Sequence, residues 1–173
     1  VGQFIPRKGY DTLIKAAVYL NDDFGVYIVG GDAPEEYILL REKVKCRNVH
    51  FIGFKKIDEL NKYYKAADIF VHPTREDIWG LVINEAMAKG LPVITTDHCI
   101  AGMELLTERT GAIIPPNNEK LLGEAIKLMI NNKKNVTEIL LKIRQYTLEK
   151  MVEKHLVVWR DKSGIREALE WKK

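Results

Sequence analysis

Short apolar runs rich in β-branched residues alternate with amphipathic stretches from end to end of this 173-residue chain, and that alternation is the signature of βαβ units on a parallel sheet. Val1 to Ile5 reads as a first strand and Tyr10 to Leu20 as the helix after it. Further strands are expected at Val26 to Val29, Val49 to Ile52, Ile69 to His72, Val93 to Thr95 and Ala112 to Ile114. Helices are expected between them at Glu35 to Lys45, Ile57 to Ala66, from Gly80 onward and at Met103 to Leu106. Pro115-Pro116 closes the sheet, and Glu119 to Asn131, Val136 to Leu148 and Met151 to Trp159 carry the i, i+3, i+4 apolar spacing of helices. The expected class is α/β: a Rossmann-like, doubly wound sheet of about six parallel strands with helices on both faces and the C-terminal helices packed on it. Asp161 to Lys173 reads as a charged tail or crossover helix.

Ligands of such sheets sit beyond the carboxyl ends of the strands, where the loops at 3–8, 30–33, 53–56, 72–79 and 96–104 converge. The most informative of these runs from Arg75 through Trp79-Gly80 to Gly90-Leu91-Pro92, an acid-bearing loop followed by a helix and a glycine stop. Asp77 precedes the first turn and Glu85 lies within the helix. Eight residues at about 1.5 Å each separate two such groups by roughly 12 Å, about the span of a diphosphate. A helix start favours phosphate, so acids on either side could hold the hydroxyls of two flanking sugars. The plainer alternative makes Asp77 a dipole-complementing acid and Glu85 a solvated one.

Composition narrows the field. A chain with 46% hydrophobic and 29% charged residues is an ordinary soluble domain. A net charge of +3 does not suggest a nucleic-acid partner. Cys46 and Cys99 have no CxxC or metal-ligand spacing, which makes a reducing, cytoplasmic setting the working expectation. No D-x-D triplet occurs, and the carboxylates of Asp77 and Glu85 are expected to hold hydroxyls rather than a metal. Gly30-Gly31 matches neither a dinucleotide fingerprint nor a Walker loop. His72 reads either as an orienting partner of Asp77 or Glu76 or as a structural histidine.

The residues Val1-Gly2-Gln3-Phe4-Ile5-Pro6-Arg7-Lys8-Gly9, Ile28-Val29-Gly30-Gly31, Phe51-Ile52-Gly53-Phe54, Ala66-Ala67-Asp68, His72-Pro73, the 75–94 segment and Thr110-Gly111-Ala112 follow one another in a familiar order. From Val1 to Trp159 the chain resembles the C-terminal donor domain of GT-B glycosyltransferases of the group 1 type, the large retaining family four. The resemblance implies that Glu85 holds the donor ribose, that Asp77, standing where glutamate is usual, holds the transferred sugar, and that Lys8 neutralises the diphosphate. Gln3 occupies a position where an arginine is common, with Arg7 either compensating or pointing to water. Gly53 and Phe54 match the loop on which the nucleobase rests, although an aromatic at a strand end such as Phe54 is more often core. Ile78, Trp79, Gly80 and Leu81 match the stretch whose amides approach the diphosphate and sugar.

The expected protein is therefore half of a GT-B fold: residues 1–160 bind a nucleotide-diphosphate sugar, and an N-terminal domain outside this chain holds a glycan or lipid-linked acceptor. No cofactor is expected beyond the donor substrate. The intact enzyme is expected in the cytoplasm, with peripheral attachment to the inner face of a membrane if it builds lipopolysaccharide or glycolipid. Alone, the domain is expected to bind nucleotide weakly and transfer nothing. Two alternatives stay open: a donor-binding subunit that works with a separate partner chain, or a GT-B relative such as a phosphorylase or epimerase.

Overall fold

The computed structural model describes residues 1–21, 23–132 and 135–160. Among them five strands form, every pairing parallel: β1 (Val26–Val29) with β2 (Val49–Ile52), and β3 (Phe70–His72) with β4 (Val93–Thr96), which also pairs with β5 (Gly111–Ile114). The connections are helical, with α1 (Tyr10–Ala16), α2 (Glu35–Lys43), α3 (Ile57–Ala66), α4 (Leu81–Met87), α5 (Ile100–Leu105), α6 (Glu119–Asn131), α7 (Val136–Ile143) and α8 (Leu148–Arg160). Successive residues of a strand point to opposite faces. Ile94 accordingly joins Leu13 and Ile14 of α1, Leu122 and Ile126 of α6, and Ile28 and Val49 in one core. Its neighbour Val93 joins Ile83 and Met87 of α4, Leu105 of α5, Ile139 of α7 and Tyr64 of α3 in the other. Helices thus cover both faces, as the expected α/β class requires.

Two details differ from the sequence-based expectation. Val1 to Ile5 is not a strand. Gly2 donates one backbone bond to Val29 (2.9 Å), but its φ of 139° is not a strand value, and Ile5 N–H bonds back to Gln3 O (3.0 Å), curling the segment into the 3-10 turn Pro6–Lys8. Phe4, which supplied the apolar alternation, instead packs edge-on against Tyr10 and Phe51, with ring centroids 5.3 and 5.8 Å away. The second difference follows from the first. Without a ladder through this segment the strands form two sheets, and a cavity of about 810 Å³ lies between β1 and β3, walled by Val26, Ile28, Tyr64, Ile69 and Val71.

Several helices end earlier than their apolar period suggests. α1 tightens into a 3-10 turn at Ala17–Tyr19 and α7 into another at Arg144–Tyr146, a common way to close a final turn. α6 and α7 start where Asn118 and Asn135 accept from backbone amides of their first turns. The segment 161–173 lies outside the described residues.

Candidate functional site

The carboxyl ends of β3 and β4 carry two of the loops singled out in sequence, 72–79 and 96–104, and a dense set of hydrogen bonds makes them one body with the first turn of the chain. Arg75 N–H and the Thr74 hydroxyl both donate to Arg7 O, at 2.7 and 2.9 Å, which straps the first turn of the chain to the loop after β3. Thr96 Oγ1 donates to Thr74 O (2.7 Å) and Thr95 Oγ1 to His72 O (2.9 Å), tying that loop to β4. The Arg75 guanidinium reaches Asp11 (2.7 Å), Asn117 (2.6 Å) and the carbonyl of Pro6. Asp11 is held below the ordinary carboxylate range: burial would raise it, but the bond and charge of Arg75 prevail. Asp77 N–H donates to His98 O (3.0 Å) and Ala101 N–H to Trp79 O (2.9 Å), so 77–79 runs beside the start of α5.

This strapping brings Lys8 and Asp77 together. Lys8 Nζ lies 2.6 Å from Asp77 Oδ2, with side chains only 13% and 14% exposed, although 69 residues separate them. His72, 1% exposed at the end of β3, places Nε2 3.0 Å from the same oxygen. Burial, then the Lys8 charge, lower the His72 pKa to about 4 against the opposing pull of Asp77, so at neutral pH an uncharged ring donates its Nε2 proton. Burial would raise Asp77, but the bonds from Lys8 and His72 outweigh it and hold the carboxyl below its usual range. His72 is thus buried and bonded to Asp77 at once.

A pH dependence of stability follows. Below about pH 6.5 the unfolded histidine takes up a proton that the folded one refuses until about pH 4. His72 is therefore expected to contribute a fall in stability of about 2–3 kcal/mol between pH 7 and pH 4.5, beside that of the buried Val1 ammonium, which is also lowered, to about 5. The Asp77 contribution, present above its unfolded value, is lost only at still lower pH. Urea unfolding at the two pH values checks this. His72→Gln, which keeps a donor but does not titrate, should show a shallower fall, and an equal fall in both proteins would contradict the assignment.

Gly80 caps α4 in the left-handed region (φ 91°, ψ 57°), and no side chain caps that helix start. An added Cβ there would lie 2.6 Å from Cys99 Sγ, so the close seating of α4 against α5 depends on this glycine. Cys99 is buried, its thiol pushed up by burial, and its Sγ donates to Trp79 O (3.2 Å), a packing role. Trp79 sits partly buried against the second core and donates Nε1–H to Asn84 Oδ1 (2.9 Å). Ile78 and Leu81, by contrast, are exposed. Glu85, one turn further along, accepts at Oε2 from the Tyr64 hydroxyl of α3 (2.9 Å).

The remaining expected site residues scatter more widely. Gln3 and Arg7 are exposed on the first turn, and Arg7 Nη1 donates to Glu76 O (3.2 Å) and so holds the loop. Gly53 and Phe54 follow β2, where Phe54 is 77% exposed and therefore not core. Among the described residues no three His, Cys, Asp or Glu side chains gather as a metal site. Sequence reasoning missed Tyr64, Thr74 and Arg75. A tyrosine on an amphipathic helix looks like core, and nothing in local spacing marks the partners of a threonine or arginine in a loop.

Solved proteins with this architecture include GT-B glycosyltransferases. The crystal structure of WaaG, a glycosyltransferase involved in lipopolysaccharide biosynthesis, superposes with a TM-score of 0.72 at 29% identity over 84% of this chain and 40% of that one. A sucrose-phosphate synthase from Thermosynechococcus elongatus superposes with a TM-score of 0.83 at 26% identity over 92% of this chain and 43% of that one. The architecture is that of one Rossmann-like half of a GT-B enzyme. Residues 1–154 match the model of the glycosyl transferases group 1, and the chain belongs to that family. In sequence it is 32% identical over 133 residues to the lipopolysaccharide glucosyltransferase WaaG of Escherichia coli (strain K12), covering 73% of this chain but 35% of that protein. Among the described residues no helix is long and apolar enough to cross a membrane.

Proposed function

We propose that this chain is the donor half of a retaining glycosyltransferase, binding a nucleotide-diphosphate sugar over the start of α4. The glycosyl group goes to a glycan or lipid-linked acceptor held by an N-terminal domain of a longer protein. The observation that carries this is the Lys8–Asp77 contact at the carboxyl edge of the sheet. A lysine has three donors, so one can hold Asp77 while the others meet phosphate oxygens. As the bond from the anomeric carbon to the diphosphate breaks, negative charge grows on the leaving phosphate, and Lys8 with the uncapped amides of α4 stabilises it without a metal. Asp77 reads the sugar hydroxyls, Glu85 the ribose, and the exposed Phe54 the base.

The exposed side chains of Phe54, Ile57, Ile78, Leu81 and Met103 fit an edge that a second domain covers. The similarity to lipopolysaccharide enzymes favours a role in surface glycan assembly, with the intact enzyme in the cytoplasm at the inner face of the membrane. Alone, the domain binds nucleotide weakly and transfers nothing, and turnover by the purified chain would refute that. The test of the site is titration with a panel of nucleotide-sugars and the matching free nucleoside diphosphates. Asp77→Ala is expected to erase discrimination among sugars on one nucleotide while free diphosphate binds as well or better, since Lys8 is then uncompensated. An unchanged sugar preference would count against the assignment.

A further inference from the structure

We infer that Tyr64 is a positioning residue for Glu85, holding its carboxylate in the orientation that meets the ribose hydroxyls; this rests on the ribose role proposed for Glu85. Glutamate on an exposed helix surface ordinarily samples several rotamers, and ordering it costs affinity when a ligand must do so. Here the ordering is built into the fold. The Tyr64 ring is 4% exposed, wedged in the second core and tilted against Phe70 with centroids 5.7 Å apart, so its hydroxyl has almost no freedom. That hydroxyl reaches out of the core to Glu85 Oε2 at 2.9 Å. Burial, reinforced by the Glu85 charge, pushes the phenol pKa far up, so the hydroxyl keeps its proton and acts only as a donor here.

The contact spends one of about four acceptor sites on the carboxylate, leaving the rest for a bidentate pair of ribose hydroxyls. The bond joins side chains of α3 and α4, and so also sets where Glu85 stands relative to α3 and the loop after β2 that leads into it, the proposed base contact. The orienting group thus comes from a different element than the acid it serves.

The experiment measures affinities of the 173-residue chain for UDP, ADP and GDP, each against its 2′,3′-dideoxy counterpart. Tyr64→Phe keeps the ring and its packing. It is expected to weaken the ribonucleotide that binds best by about 2- to 12-fold, the cost of ordering one long side chain, while the dideoxy form binds as before. In the Glu85→Ala background the same substitution should change nothing further, because Tyr64 acts only through that carboxylate. A parental ribose-to-dideoxy ratio in Tyr64→Phe, with a collapsed ratio in Glu85→Ala, overturns this inference and leaves the ribose site standing. An unchanged ratio in Glu85→Ala, or no binding of any of the nucleotides by the parent chain, overturns both.

Discussion

Gly9→Ala is expected to destabilise the domain by more than about 2 kcal/mol, a large effect for one methyl group. Gly9 has φ 67° and ψ 25°, closing the turn Pro6–Lys8 and opening α1, and a side chain pays for left-handed backbone. The added Cβ would also stand 2.0 Å from Pro73 O and 3.0 Å from Pro73 C. Those are backbone atoms of the loop after β3, so no side-chain rotation relieves the clash. The turn must retreat from Pro73 instead, loosening the bonds from Arg75 and Thr74 to Arg7 O and drawing Lys8 away from Asp77. Urea unfolding measures the loss. Gly31→Ala is the control, because nothing lies within 4 Å of its added Cβ, and it should fall within about 0.5 kcal/mol of the parent. Equal stability of the two variants would show that the strap between the first turn and the β3 loop is slack.

Lys8→Ala is expected to weaken nucleoside diphosphate binding by about 30- to 100-fold. A hydrogen bond from a cation to phosphate is worth about 1.5–3 kcal/mol, and its loss accounts for most of that factor. The remainder comes from Asp77, whose charge no longer has a cation beside it and repels the phosphates. Stability should suffer as well. The pair is largely buried at 13% and 14% exposure, but Asp77 keeps its bond to His72, so a loss of about 1–3 kcal/mol is expected. Calorimetric titration beside urea unfolding separates the two effects, and a variant that binds diphosphate as the parent does would remove Lys8 from the site.

Much of this architecture is legible in the residues themselves. Val93 and Ile94, bracketed by Gly90-Leu91-Pro92, announce a strand buried on both faces, and β4 is that strand. Gly80 before Leu81 announces a helix start, and α4 begins there. Spacing alone says nothing about what approaches across the sheet edge. Lys8 and Asp77 are 69 positions apart, and only the family resemblance suggested that they share a ligand. Val1 to Ile5 misleads because apolar alternation reports which side chains seek a core, and Phe4 does, but not that the backbone turns at Gly2. Tyr64 hides for the opposite reason: its ring satisfies every expectation of a core aromatic, and the hydroxyl that reaches Glu85 leaves no trace in hydrophobic periodicity.

The central claim is that a diphosphate rests beside Lys8 at the start of α4. Its most direct test is the ratio of affinities for a nucleoside diphosphate and the corresponding monophosphate, taken for UDP and UMP, ADP and AMP, and GDP and GMP, in the parent chain and in Lys8→Ala. The parent should prefer the best-bound diphosphate by at least about tenfold, the worth of one charge-assisted bond, and Lys8→Ala should bring the ratio close to one. Equal affinity of the parent for both forms, or a preference that survives in Lys8→Ala, would place the phosphates elsewhere.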